Sequence, residues 1–254
     1  MVKLSVNVNK VATIRNSRGG NVPSVTEAVK VCVAAGTPGI TVHPRADARH
    51  ITFRDVREIA AQLRHDASGV EFNIEGDPRP DLLALVHEVK PDQCTLVPVK
   101  EGEITSQAGW SPDTPRAALL STIKALQRDG VRVSIFVDPE AAAVEWAGAL
   151  GADRVELYTE PFARAFAAGG ATRQGSFDRY AAAANLARSI GLGVNAGHDL
   201  DLDNLTLFRT LPHLDEVSIG HALISHALYV GLERAVKDYL AAVSGSPLPG
   251  KSLQ

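Results

Sequence analysis

GITVHPRADARH, residues 39–50, joins a short apolar run to a cluster of ionisable side chains. Ile40, Thr41 and Val42 read as a buried strand, because β-branched residues fit a pleated surface packed on both faces. The strand finishes on His43, with Arg45 two residues on and His50 just beyond. A single such ending carries little weight. A set of strands that all end this way would define both the fold and a site.

Seven further β-like runs occur: Leu4–Val8, Val70–Ile74, Cys94–Val97, Val131–Val137, Arg154–Leu157, Leu192–Val194 and Glu216–Ile219. They read as near-continuously apolar, as expected of parallel strands covered on both faces. Helix signals lie between them. Ser24–Glu27 and Thr52–Asp55 resemble capping boxes, and Pro80 and Pro139 stand where a first helical turn tolerates proline. The stretch Ala222–Val243 predicts one long final helix with Leu228, Leu232, Val236 and Leu240 at helical spacing. Eight strands alternating with helices predict a single-domain α/β protein over residues 1–254, a (β/α)₈ TIM barrel. The alternative, an open doubly wound sheet, lacks a Gly-x-Gly-x-x-Gly after the first strand. Two connections predict extended loops: Lys100–Pro115 after strand four, and Thr159–Gly175, with Gly169-Gly170, after strand six.

The 254 residues carry a net charge of −3 with no long basic run, which argues against nucleic acid or an anionic membrane as partner. Met1–Lys10 lacks the apolar core of a signal peptide, and no run of about 18 apolar residues occurs. Cys32 and Cys94 read as buried free thiols. The expectation is a soluble cytoplasmic protein.

In such a barrel the active site gathers at the carboxyl ends of the strands. Strand one ends with Asn7, Asn9 and Lys10, followed by Arg15, Arg18 and two glycines. Strands two and three supply His43, Arg45, His50 and Glu75. Strand four leads to Lys100 and Thr105, and strand six carries Glu156 and Thr159. Strands seven and eight end in Asn-Ala-Gly-His198 and Ile-Gly220-His221. His65, His87 and His213 fall on helix faces or loops and read as solvated. Asp138, ending strand five, serves either as a cap for the helix at Pro139 or as a site group.

Histidine and glutamate together can share proton transfers near neutral pH. Arginines offer a bidentate fork for phosphate, and Gly220-His221 opens a helix whose N–H groups suit an anion. A metal held by His43, Glu75, His198 and His221 is the sharpest competing reading. Against it, no His-x-His or His-Glu-x-x-His pair occurs and arginines stand nearby. A Schiff-base lysine would be Lys10 or Lys100.

The motifs GITVHPRADARHIT, VNVNKVATIRNSRG, FNIE, LVPVK…ITSQAG, VELYT, VNAGH and SIGHALI run in order from Leu4 to about Lys237. Together they resemble the pyridoxine 5′-phosphate synthase family of the deoxyxylulose-phosphate-dependent route to vitamin B6. The resemblance implies a (β/α)₈ barrel assembled as a homo-octamer, two phosphorylated small-molecule substrates, and no metal or organic cofactor. It implies condensation of 3-amino-2-oxopropyl phosphate with 1-deoxy-D-xylulose 5-phosphate. By position, His43 and Glu75 would be general bases, His198 the general acid, and Glu156 a stabiliser of transition-state charge. Asn7, Arg18, Gly220 and His221 would hold the aminoketone phosphate. Arg45, His50 and Thr105 would hold the ketose phosphate. Asn9, Lys10 and Asp199 occupy substrate-contact positions but depart from the family's usual Asp, His and Gly, and Tyr158 replaces a usual His. A phosphosugar lyase or aldolase on the same rim, or an inactive ligand-binding homologue, are the rival readings. Retention of His43, Glu75 and His198 together argues against decay.

Overall fold

The computed structural model describes residues 1–98 and 108–247. β1 (Lys3–Asn7) leads into α1 (Asn9–Asn16) and α2 (Val25–Ala34); β2 (Gly39–Val42) leads into α3 (Phe53–Asp66). β3 (Glu71–Gly76) precedes α4 (Pro80–Val89), and β4 (Gln93–Leu96) precedes α5 (Arg116–Arg128). Next come β5 (Arg132–Val137), α6 (Ala141–Ala149) and β6 (Arg154–Tyr158), then α7 (Glu160–Ala168) and α8 (Gly170–Ser189). β7 (Gly193–Gly197), α9 (Leu205–Phe208), β8 (Leu214–Ile219), α10 (His221–Val230) and α11 (Leu232–Ser244) complete the chain. The eight strands pair in parallel in chain order, and β8 closes on β1. This is the expected (β/α)₈ barrel.

Local chemistry sets several boundaries. Thr52 and Asp55 form a reciprocal capping box at α3, although Asp is the shorter partner. Ser24 accepts from the backbone N–H of Glu27 at α2. Pro80 opens α4 as expected, whereas Pro139 lies ahead of α6, whose N-cap is Glu140.

The connection after β6 is long, but it is helical rather than a loop. α7 buries Phe162 against Tyr180 of α8 and Phe208 of α9, with ring centroids 5.8 and 4.8 Å apart. Gly169 and Gly170, at φ 72° and 53°, make the bend between two helices. The expected single final helix is likewise two, broken at Gly231, where φ is 85°. In both places glycine supplies a left-handed backbone that ends one helix and lets the next begin.

The strands correct a second expectation. They are not continuously apolar; they alternate. Leu4, Val6, Ile40, Val42, Phe72 and Ile74 are buried on one face, while Ser5, Thr41, Asn73, Thr95, Glu156 and Asn195 are buried on the other. The polar face points into the barrel: the Asn195 amide of β7 donates to Gln93 Oε1 of β4 at 3.4 Å, and these strands meet only across the interior. The interior is a bonded polar lattice. Ser5 and Thr41 hydroxyls lie 2.7 Å apart, Thr95 donates to Asn73 at 3.1 Å, and Arg132 donates to Gln93 at 2.9 Å. Arg154 donates to Asn195 at 2.7 Å. The apolar face packs beneath the helices and forms the hydrophobic core.

Asn195→Leu would leave Arg154 and Gln93 without this partner inside the barrel. We expect a loss of about 1–3 kcal/mol, the cost of stranding buried polar groups, read as a lower urea midpoint.

Candidate active site

Because side chains alternate, each strand offers one last inward position at its carboxyl end. Asn7, His43, Glu75 and Tyr158 occupy four of these, and they line an open cavity of about 800 Å³. Glu156, His198, Asp199 and Ser218 line it as well.

His43 is 8% exposed. Its backbone N–H donates to Asn9 Oδ1 at 2.9 Å, and Asn9's own N–H donates to Asn7 Oδ1 at 3.1 Å. The departure from Asp to Asn at position 9 therefore keeps an acceptor oxygen where the strand end needs one. His43 Nδ1 lies 4.0 Å from Glu75 Oε2, and Nε2 is buried without a hydrogen-bond partner. Burial, then the nearby His50 and Arg45, hold the imidazole well below its ordinary range, so it is a neutral base at pH 7.

The carboxyls behave in the opposite sense. Burial, reinforced by Glu216, pushes Glu75 up to about 8. Glu156 is raised well above its ordinary value by burial and by Glu75 and Glu216. Glu216 rises to about 7 through burial and Glu71, opposed by Arg154, Arg132 and Lys3. At neutral pH the floor of the cavity thus sets a protonated acid, Glu75, beside an uncharged base, His43. Such a pair can both give and take protons. Gly197 lies close beneath the Glu156 carboxyl: a Cβ on it would sit 2.5 Å from Glu156 Oε1, so the carboxyl would have to move.

His198 packs against Phe136 and Tyr158, with ring centroids 4.9 and 5.4 Å away. Burial lowers its basicity and the Asp199 carboxylate restores part of it.

The rim is cationic. Lys10, Arg45, Arg49 and Arg164 line the cavity with His50 beside them, and Asp199 and Glu160 are its acidic counterweights. His50 Nδ1 accepts the Ile51 N–H at 2.9 Å, which leaves the ring proton on Nε2. Burial, then Arg45 and Lys10, depress His50 to about 4. Gly220, His221 and Ala222 bring the first turn of α10 to the cavity, where unpaired N–H groups favour an anion. Gly220 is tightly placed, since a Cβ there would meet Asn7 at 3.1 Å.

Most residues singled out in the sequence meet in this one cavity: Asn7, Asn9, Lys10, His43, Arg45 and His50 from the first two strand ends, and Glu75, Glu156, His198, Asp199, Gly220 and His221 from the others. Arg18 does not; it is exposed in the turn after α1. Thr105 and Lys100 lie outside the described residues. Arg15 donates to Asp55 at 2.9 Å and to the His50 carbonyl at 3.2 Å, so it braces the Arg45–His50 loop. Asp138 neither caps α6 nor lines the cavity; its carboxylate accepts the Gly109 N–H at 3.3 Å. Glu160 and Arg164 were missed because α7 read as a loop. Arg49 was passed over although it lies inside the opening motif. Among the described residues, no group of three or more His, Cys, Asp or Glu is placed to hold a metal ion.

Fold and site together define a (β/α)₈-barrel enzyme with an acid–base centre and a rim suited to anionic substrates. A family model described as pyridoxal phosphate biosynthesis protein PdxJ matches residues 4–245, and the chain belongs to that family. It is 50% identical over 241 residues to a pyridoxine 5′-phosphate synthase of Cytophaga hutchinsonii, covering 94% of this chain and 98% of the relative. A pyridoxine 5′-phosphate synthase of Bacteroides fragilis is 51% identical over 240 residues, with the same coverage of 94% and 98%. Among solved structures, 3-keto-L-gulonate-6-phosphate decarboxylase of Vibrio cholerae superposes with a TM-score of 0.63 at 13% identity, covering 96% of each chain. Phosphoribosyl anthranilate isomerase of Thermotoga maritima gives 0.62 at 12% identity, over 96% of this chain and all of the other (100%). These two likenesses establish the barrel fold.

Glu75→Gln tests the buried carboxyl. Below its ordinary value of 4.5 the carboxyl is protonated folded and unfolded, and no penalty exists. Between 4.5 and about 8 only the unfolded chain ionises, so stability falls as pH rises, and the penalty is complete above 8. The Gln variant should therefore melt higher than the parent at pH 8.5, with the gain shrinking toward pH 4.5 in thermal scans. An unchanged melting difference across that range would refute the buried neutral acid.

Proposed function

We propose that this chain catalyses the reaction for which its relatives are named. It condenses 3-amino-2-oxopropyl phosphate with 1-deoxy-D-xylulose 5-phosphate to pyridoxine 5′-phosphate, phosphate and water. The observation that carries the reading is the meeting of His43, Glu75 and His198 at the floor of one cavity rimmed by cations and a helix N-terminus. Imine formation, dehydrations, phosphate loss and ring closure each need a proton placed or removed.

In this reading neutral His43 takes protons and Glu75, 4.0 Å away, shares them. His198, with Asp199 sustaining its basicity, returns a proton to a leaving oxygen. Glu156, above Gly197, sits where positive charge develops. Arg45, His50 and Lys10 take one phosphate, and the first turn of α10 takes the other. Thr105 stands as a further phosphate contact by family resemblance, whereas Arg18, exposed in the turn after α1, is left out of this scheme. The four departures fit this scheme: Asn9 still accepts from His43, Lys10 adds a cation, and Tyr158 and Asp199 flank His198.

We place the chain in the cytoplasm, with Cys32 and Cys94 both buried and free. No helix among the described residues is long and apolar enough to cross a membrane. We further propose a homo-oligomer, supported by Val22, Leu228 and Tyr229, which are 82%, 70% and 88% exposed. Sedimentation equilibrium returning a monomer at micromolar concentration would refute it.

Purified, metal-free protein given both substrates should form pyridoxine 5′-phosphate and release phosphate, and omission of either substrate should abolish both. Turnover with the ketose phosphate alone would point instead to a lyase or aldolase. His43→Ala should fold normally and lose about 10²–10⁴-fold in kcat, the range of a lost general base. Near-parental turnover would sink its assignment.

A further inference from the structure

His198 and Asp199 are consecutive non-glycine residues in the left-handed region, at φ 86° and 56°. Such a backbone costs on the order of 1–3 kcal/mol per residue and persists only where its surroundings over-determine it. Two buried polar residues do so here. Thr159, fully buried at the end of β6, directs its single hydroxyl proton at the Gly197 carbonyl, 2.6 Å away, and at the His198 carbonyl beside it. Its backbone N–H also donates to the Gly197 carbonyl, at 3.0 Å. Asn204, 2% exposed, donates its side-chain amide to the Asp199 carbonyl at 2.9 Å, while its Oδ1 accepts the Asp201 N–H at 2.9 Å.

Both residues occupy helix N-cap positions, Thr159 for α7 and Asn204 for α9. Thr and Asn are favoured there because their side chains accept from the helix's first turn. Neither makes that bond. Each instead turns its side chain onto the strained turn at the end of β7. The turn needs this purchase, because the ring it carries has little freedom. Phe136 and Tyr158 wall His198 in at 4.9 and 5.4 Å, and a Cβ at Gly197 would strike Glu156.

We propose that Thr159 and Asn204 are positioning residues: they clamp the left-handed His198–Asp199 turn through its two carbonyls and so aim the His198 imidazole into the cavity. Neither lines the cavity. The proposal rests on the reading of His198 as general acid, and it adds the two side chains that set where its proton is delivered. A misplacement of about 1 Å in a reacting group costs on the order of 10²-fold.

The test is a double-mutant cycle between Thr159→Val and His198→Gln, with product formation and thermal melting both measured. Thr159→Val should lower kcat about 10- to 100-fold while KM stays within about threefold. In the His198→Gln background it should change kcat less than about twofold, because its effect passes through the imidazole. Thr159→Ser, which keeps the hydroxyl, should recover most of the turnover. Asn204→Ala repeats the cycle independently if Thr159→Val does not fold.

Full turnover in Thr159→Val and Asn204→Ala, with kcat of His198→Gln strongly lowered but measurable, would overturn the clamp and leave the reading of His198 intact. Equal losses in both backgrounds would also overturn it, as a general structural effect. Parental turnover in His198→Gln would instead remove the acid role on which the clamp depends.

Discussion

A closed barrel buries the inward side chains of all eight strands, so any polar group placed there must find its partner inside. In this chain most inward side chains are polar, and apart from the small cluster of Val97, Phe136 and Tyr158 the interior is built largely as a hydrogen-bond lattice instead of a packed apolar core. Arg132 binds Gln93, Arg154 binds Asn195, and Asn195 reaches across to Gln93, joining strands that are not neighbours. The active site is the open end of this lattice. Asn7, His43, Glu75 and Tyr158 are the next residues along the same inward rows.

That continuity explains the electrostatics. Burial raises Glu75, Glu156 and Glu216 toward the neutral acid; Glu216 adds to the shift of Glu75, and Glu75 and Glu216 add to that of Glu156. The cations that offset them, Lys3, Arg132 and Arg154, stand toward the amino-terminal end and bear on Glu216. Toward the cavity the local cations, Arg45 and Arg79, instead help hold His43 unprotonated. The same barrel therefore keeps acids protonated and bases free at one end, the condition for repeated proton transfer at neutral pH. Around that centre the geometry is held by groups that carry no charge: the Asn9 amide behind His43, and the Thr159 and Asn204 side chains behind His198.

The candidate site was legible because strand ends are short in sequence and each carries an ionisable group after an apolar run. His43, Glu75, Glu156, His198 and His221 could be placed on one rim from strand count alone, and they share one cavity. What escaped was whatever depended on context. Arg164 and Glu160 belong to α7, whose glycine-rich continuation reads as a loop, yet Phe162 buried against Tyr180 and Phe208 makes it a helix. Arg15 resembled a rim cation, but Asp55 binds it. Arg18 sits in an exposed turn away from the cavity. The strands read as continuously apolar because short runs such as Cys94–Val97 hide a period of two.

The sequence by itself determined the barrel and the family, and it brought the candidate acid–base residues to one rim. Each of these follows from local periodicity or from ordered motifs, and neither requires knowing what faces what. Only the tertiary structure decided which face of each strand is polar, which way burial shifts His43, Glu75 and Glu156, and which neutral side chains bond the backbone around His43 and His198. Those properties arise from burial and from contacts between residues far apart in the chain, such as Asn9 with His43 or Thr159 with His198. No local pattern encodes them.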